Sequence, residues 1–173
     1  MNNWWSNING GNLEQGDLLR DCLMPIFAGD LETDDNGIVE EELKRSRLIV
    51  ITQSCDLESK KVEFVALCPI HVLKEFEQEN PEFCMKGRWE QVRKGRHEGL
   101  HLLASPEKPQ DNKVSLVVDF GHIVSLPFDY LTRHAESLGN RWRLKSPFLE
   151  HFSQAFARFF MRVGLPSGIP PFN

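Results

Sequence analysis

Two apolar, β-branched runs constrain most of what this chain can fold into: Leu48-Ile49-Val50-Ile51-Thr52, entered through Arg47, and Glu63 to Ile70, followed by His71. Continuous apolar runs of this length fit central strands covered on both faces better than a surface hairpin. Between them lies a short polar loop, Gln53-Ser54-Cys55-Asp56, which sets a thiol beside a carboxylate where the first run ends. Chemistry is expected to sit there.

With 173 residues, 40% of them apolar, the chain is long enough for one sizeable core, and a single domain over 1–173 is expected. A formal charge of −5 argues against a surface that is a nucleic-acid clamp all over and leaves room for a regional basic patch. Met1-Asn2-Asn3-Trp4-Trp5 lacks the basic start and apolar core of a secretion signal, and no apolar run is long enough to cross a membrane. A cytoplasmic protein with reduced thiols at Cys22, Cys55, Cys68 and Cys84 is the expectation.

Residues 1–12 read as a polar lead-in whose tryptophans either pack back on the body or mark a contact surface. A first strand is entered at Gly16-Asp17, and an acidic loop at 29–45 turns at Asn36-Gly37. A helical insertion over 70–97 is predicted: Ile70, Leu73 and Phe76 recur at helical spacing until Asn80-Pro81, and a second amphipathic piece runs from Phe83 to Arg96. Leu100–Leu103 and Val114–Phe120 read as strands, His122–Leu126 either continues the latter or returns across Gly121, and Arg141–Leu144 is a short final strand. A C-terminal helix over 146–164 is capped by Ser146, starts at Pro147 and carries an apolar stripe of phenylalanines. The fold class is α+β: a small, mostly antiparallel, partly open barrel of five to seven strands, with the helical insertion and the long C-terminal helix.

The succession Gln15-Gly16-Asp17-Leu18-Leu19, an acidic excursion, Arg47 to Gln53, and Lys61 to Ile70 resembles the PemK/MazF-type toxins over roughly residues 15–71. In that family a Gly-Asp opens the first strand, a basic residue precedes an apolar strand, and the next strand closes on a Pro-Ile or Pro-Val pair. The resemblance implies a strongly curved small barrel, a homodimer and metal-independent cleavage of single-stranded RNA. The family's catalytic arginine and serine or threonine fall on Arg20 and Ser54. The acidic loop departs from the family, which carries a basic loop there, and would repel RNA. Gln53-Ser54-Cys55-Asp56 also resembles a Ser-Cys-Asp loop in a branch of uncharacterised bacterial and phage-associated proteins.

Other constellations invite chemistry. Cys55 with Asp56 would act as a nucleophile if a histidine such as His71, His101 or His122 approached it, and otherwise forms a tight turn capped by Asp56. Zinc held by Cys22, Cys55, Cys68 and a histidine has a single close ligand pair, Cys68-x-x-His71, and core packing is the favoured role of Cys68. No metal or cofactor is predicted. Lys86, Arg88, Arg93, Lys94, Arg96 and His97 form the basic cluster, with Trp89 placed beside Arg93 and Arg96 on a helix as a nucleic-acid or partner-binding face; Arg47 and Gln53 are candidates for the same role at the loop. Asp119 and His122 form an acid/base pair or close a turn, and Arg158 and Arg162 brace the last helix against Asp56 or Asp119.

The leading functional expectation is a toxin-fold-related accessory or effector of a bacterial or mobile-element operon, binding single-stranded RNA or a protein from the same operon. A metal-independent endoribonuclease and a Cys55-dependent hydrolase are the alternatives. The phenylalanine stripe carries its own prediction. Truncating a buried aromatic ring costs roughly 3–5 kcal/mol, and a domain stable by about 5–15 kcal/mol cannot absorb two such losses. Phe152→Ala/Phe156→Ala is therefore expected to lose its cooperative thermal transition in circular dichroism, whereas melting within a few degrees of the parent would place the helix outside the core.

Overall fold

The computed structural model describes residues 4–26 and 42–161. Among these, eight strands form one sheet in the order β1-β8-β2-β3-β4-β6-β5, with β7 also paired to β4. The strands are β1 (Trp5–Asn9), β2 (Asp17–Ile26), β3 (Glu42–Val50), β4 (Phe64–Val72), β5 (Leu100–Leu103), β6 (Leu116–Asp119), β7 (Val124–Pro127) and β8 (Asn140–Leu144). Every pairing is antiparallel and the sheet does not close, as the α+β reading expected. The helices are α1 (Ser54–Glu58), α2 (Leu73–Glu79), α3 (Arg88–Arg93), α4 (Phe128–Leu138) and α5 (Phe148–Phe160).

The two apolar runs become β3 and β4, and their alternation splits the core into two layers. Leu48 and Val50 of β3, with Val65 and Leu67 of β4, face a layer closed by Leu57 of α1 and by Leu131 and Ala135 of α4. Ile49, Ile51, Cys68 and Ile70 point to the opposite face, where Phe152, Phe156 and Phe159 of α5 cover them. A strand with both faces covered has no polar side to present, which is why these segments read as unbroken apolar runs. A third cluster seats the insertion on β6, with Phe76, Phe83 and Val92 packed around Val117.

Several expectations are corrected. The lead-in carries β1, which pairs with β8 along its whole length; Trp5 is buried and Trp4 stacks on Phe148 at 3.9 Å, so both tryptophans pack back on the body. Helix α2 starts at Leu73, three residues later than the periodicity suggested, because Ile70, His71 and Val72 pair with Val118, Val117 and Leu116. Cross-strand pairing of β-branched residues outweighs the weak helical signal of Pro69-Ile70. The second amphipathic piece is broken into a 3-10 turn, Pro81–Cys84, and the short α3, which ends at Arg93.

Val124–Pro127 continues along the same edge of β4 as β6, separated from it by an excursion at 119–123, and does not return as a hairpin on β6. Ser146 does not cap α5. The cap position falls to Pro147, after a cis Ser146–Pro147 bond, and the Lys145 carbonyl accepts from Phe148 and Leu149 N–H at 2.8 and 3.0 Å. Residues 42–45 of the acidic loop belong to β3, while the rest of it and the end of the C-terminal helix lie outside the described residues.

The Gly-Asp at 16–17 has a structural task. Gly16 adopts φ +82°, and a Cβ there would meet Leu149 at 2.9 Å and Leu144 at 3.0 Å. Asp17 is fully buried and receives Arg141 Nε at 2.8 Å, Arg143 Nε at 2.5 Å and the Glu14 N–H at 3.0 Å. Arg141, 2% exposed, spends its other donors on the carbonyls of Gly10, Gly11 and Asn12. Removing one member of a buried, hydrogen-bonded ion pair leaves an uncompensated charge and costs about 3–5 kcal/mol. Arg141→Ala or Asp17→Ala is expected to lose stability on that scale in urea titrations, whereas Arg93→Ala, whose pair with Glu90 is exposed, is expected to leave the midpoint unchanged.

Candidate functional site

A cleft of about 1130 Å³ opens over the outer half of the β2–β3 ribbon, bounded by β4, α2 and the 119–123 excursion. Arg20, Lys44, Arg45 and Arg47 line it from the ribbon, His71 from β4, and His122 and Ser125 from the far rim. Asp21, Glu75 and Glu79 are its carboxylates.

Local geometry sets this arrangement. The β2–β3 register shifts between Leu19 and Cys22, so Arg20 and Asp21 together oppose Arg47, with Asp21 in the left-handed region at φ 56°. A bulge of this kind bends the strand and re-aims its side chains. Helix α4 holds the bulged backbone from outside the cleft: Tyr130 Oη accepts from the Leu23 N–H at 2.8 Å, and His134 Nε2 lies 2.6 Å from the Arg20 carbonyl. Its apolar residues Phe128, Leu131, Ala135 and Leu138 recur at helical spacing, a signal present in the sequence and missed above.

Arg47 forms an ion pair with Glu75 of α2, which also accepts the Val72 N–H at 3.3 Å. Burial opposes ionisation of Glu75, but these hydrogen bonds more than offset it and hold its carboxyl below the usual range. The half-buried His71 packs edge-on against Phe76 at 5.7 Å. Burial is the largest influence on its imidazole and keeps its pKa below 6.5, against the pull of Glu79, Asp119 and Glu75. His71 is therefore a neutral imidazole at neutral pH. At the rim, Asp119 accepts from the Gly121 N–H at 2.8 Å and lies 2.7 Å from His122 Nδ1, so this pair closes the turn across Gly121 and presents His122 to the cleft.

The structure gathers some predicted residues and separates others. Arg20 and Arg47 share the cleft; Ser54 does not. Ser54 lies on α1 and its hydroxyl accepts the Gln15 N–H at 3.0 Å, while Gln15 Nε2 donates to the Ile51 carbonyl at 2.9 Å, which ties the loop before β2 to the end of β3. Gln53 stands at the N-terminus of α1 without a side-chain cap bond, and the exposed Cys55 thiol lies 3.7 Å from its amide oxygen. Among the described residues no hydrogen bond joins Cys55 to a histidine, and the Asp56 side chain does not cap the turn; its backbone bonds there, its N–H to the Gln53 carbonyl. Cys68 is buried, with burial first and Asp119 second pushing its thiol up to about 12. The described residues contain no group of three or more His, Cys, Asp or Glu placed to hold a metal.

The basic cluster is not carried on one helix, because α3 ends at Arg93. Trp89 is half-buried, packs against Phe76 and Phe83 and donates to Glu77 at 2.8 Å. Arg93 makes a double hydrogen bond to Glu90, and Arg96 lies beyond the end of α3. Among the described residues the bracing expected of the last helix is absent: Asp119 engages His122, and Arg158 forms an ion pair with neither Asp56 nor Asp119; Arg162 lies outside the described residues. Sequence reasoning missed Lys44, Arg45 and His122 as companions of Arg20, although the basic run Lys44-Arg45-Ser46-Arg47 was a visible signal.

Comparison with protein-family models, with curated proteins and with solved structures finds no match.

The protonation of His71 predicts a pH effect with a definite sign. Its folded pKa lies below that of the unfolded chain, so below about 6.5 the unfolded state binds a proton that the folded state refuses, and stability falls as pH drops. His71→Gln is expected to lose less stability than the parent between roughly pH 7 and pH 5. Parallel denaturation curves for parent and variant across that range would show that burial does not hold His71 neutral.

Proposed function

We propose that this protein is a PemK/MazF-like effector or accessory protein of a bacterial or mobile-element operon, acting in the cytoplasm and binding single-stranded RNA along the cleft. The observation that carries the reading is the convergence of Arg20, Lys44, Arg45 and Arg47 on one open surface of an otherwise acidic protein. Neighbouring strands lie about 4.8 Å apart, close enough for cations on β2 and β3 to meet successive phosphates of one strand. His71 and His122 add imidazole planes on which an unpaired base stacks.

Cleavage is the second reading, and the cleft favours a route without Ser54. In it, neutral His71 takes the proton of a ribose 2′-hydroxyl and the oxygen attacks the adjacent phosphorus. The bond to the 5′-oxygen breaks, and that oxygen leaves with a proton from His122, while Arg20 neutralises the charge on the phosphoryl oxygens. A homodimer, or docking of a protein from the same operon, would use the exposed Leu23, Ile26 and Leu43 of the ribbon.

Anisotropy titrations of a labelled single-stranded RNA at two salt concentrations test the binding. Each phosphate contact contributes about 0.7 to the logarithmic salt slope, so Lys44→Glu/Arg45→Glu is expected to weaken binding and flatten the slope by about 1.4. Arg93→Glu/Arg96→Glu serves as the control and should bind as the parent does. Absence of binding at low salt, or indifference to the ribbon reversal, sinks the RNA reading. Incubating the same RNA without metal, with His71→Ala alongside, decides whether the cleft also cuts.

A further inference from the structure

A second cavity, of about 260 Å³, opens on another part of the molecule, between the end of α3, strand β5 and helix α5. Its polar lining is dominated by nitrogen. Arg158 and His151 come from α5, His101 from β5, and Lys94 and His97 from the turn that follows α3, while Glu98 is the one carboxylate among the lining residues. The remaining wall is apolar, with Phe120, Phe159 and Ala155.

Two features of this cavity are costly in isolation. The Nδ1 atom of His97 is buried without a hydrogen-bond partner among the described residues, although its ring is fixed edge-on to Phe83 at 5.2 Å. Buried polar atoms are ordinarily paired, and an exception calls for an explanation. His101, stacked on Phe120 at 6.0 Å, sits close enough to His151 and Arg158 to feel their charge. Burial first, then these two neighbours, pushes its pKa down to about 4. The exposed cations Arg158 and Lys94 and the exposed His151 thus share one small space with the half-buried, neutral ring of His101, and an anion there meets donors from both β5 and α5.

We infer that this cavity binds a phosphomonoester, its oxyanion held by Arg158, His151 and His101 and its organic body laid against Phe120 and Phe159. A tetrahedral oxyanion offers acceptors in several directions, matching donors that arrive from different elements, and charge-assisted hydrogen bonds of this kind are the strong ones. The opening exceeds what a bare ion needs, and aromatic walls beside a cationic end suit a compact aromatic ester such as a nucleoside monophosphate. The site is independent of the cleft between β2, β3 and β4, so it stands or falls separately from RNA binding.

The probes are inorganic phosphate, a nucleoside 5′-monophosphate and the matching nucleoside without phosphate, each titrated against the histidine ring signals in NMR spectra at constant ionic strength set with chloride. Saturable shifts of His101 and His151 are expected with the monophosphate, weaker ones with inorganic phosphate and none with the nucleoside. Equal affinity for phosphate and monophosphate would identify the free anion as the ligand and remove the role of the aromatic wall. Arg158→Gln is expected to weaken the monophosphate at least tenfold, and His151→Gln, an independent and exposed substitution, several-fold. No saturable shift with either phosphate, or binding unchanged in both variants, overturns the inference.

Discussion

The buried carboxylate of Asp17 is the interaction on which the rest of the sheet depends. It lies where β2 leaves the Gly16 turn, and its two oxygens take donors from Arg141, Arg143 and the Glu14 backbone. Arg141 in turn gathers three successive carbonyls of the β1–β2 connection. Strands distant in sequence, β2 near the start and β8 near the end, are thereby locked in register with the loop that joins β1 to β2. A charge so deeply buried is tolerable only when every partner is in place, which makes this corner all-or-none.

From that corner the chain builds outward to the cleft. Gln15 holds α1 through Ser54, so the polar Ser-Cys-Asp segment serves as a fastening for the start of β2. Farther along β2 the bulge at Arg20 and Asp21 turns the ribbon, and α4 secures it through Tyr130 and His134. The cationic surface is therefore set by a backbone irregularity backed by a helix, while Glu75 fixes one of its arginines against α2. The cations Lys44 and Arg45 of the cleft take no part in the Asp17 corner, so their charges can be reversed with that corner intact.

The sequence was most legible where burial on both faces left no choice. The runs ending at Thr52 and Ile70 could only be central strands, and the phenylalanine stripe of the last helix enters the core through Phe152, Phe156 and Phe159, while Phe160 stays exposed. It was least legible where tertiary contacts decide. Pairing with β6 extended β4 through Val72 against a helical signal, and pairing with β8 turned a polar lead-in into β1. The site was half visible: Arg20 and Arg47 were named, but their association with His71 and the exclusion of Ser54 depend on which way α1 and the bulge direct their side chains.

What the amino-acid order determined by itself was the α+β class, the two central strands and the aromatic docking helix, because these follow from periodicity and from how much apolar surface must leave water. What only the tertiary structure decided was which charges meet. Asp17 and Arg141 stand 124 residues apart and become one buried pair, and the helix expected to carry Arg93 and Arg96 together ends at Arg93. Charged side chains carry no periodic signature of their partners, since an ion pair depends on distance in space, and that distance is set only once the apolar residues have folded the chain.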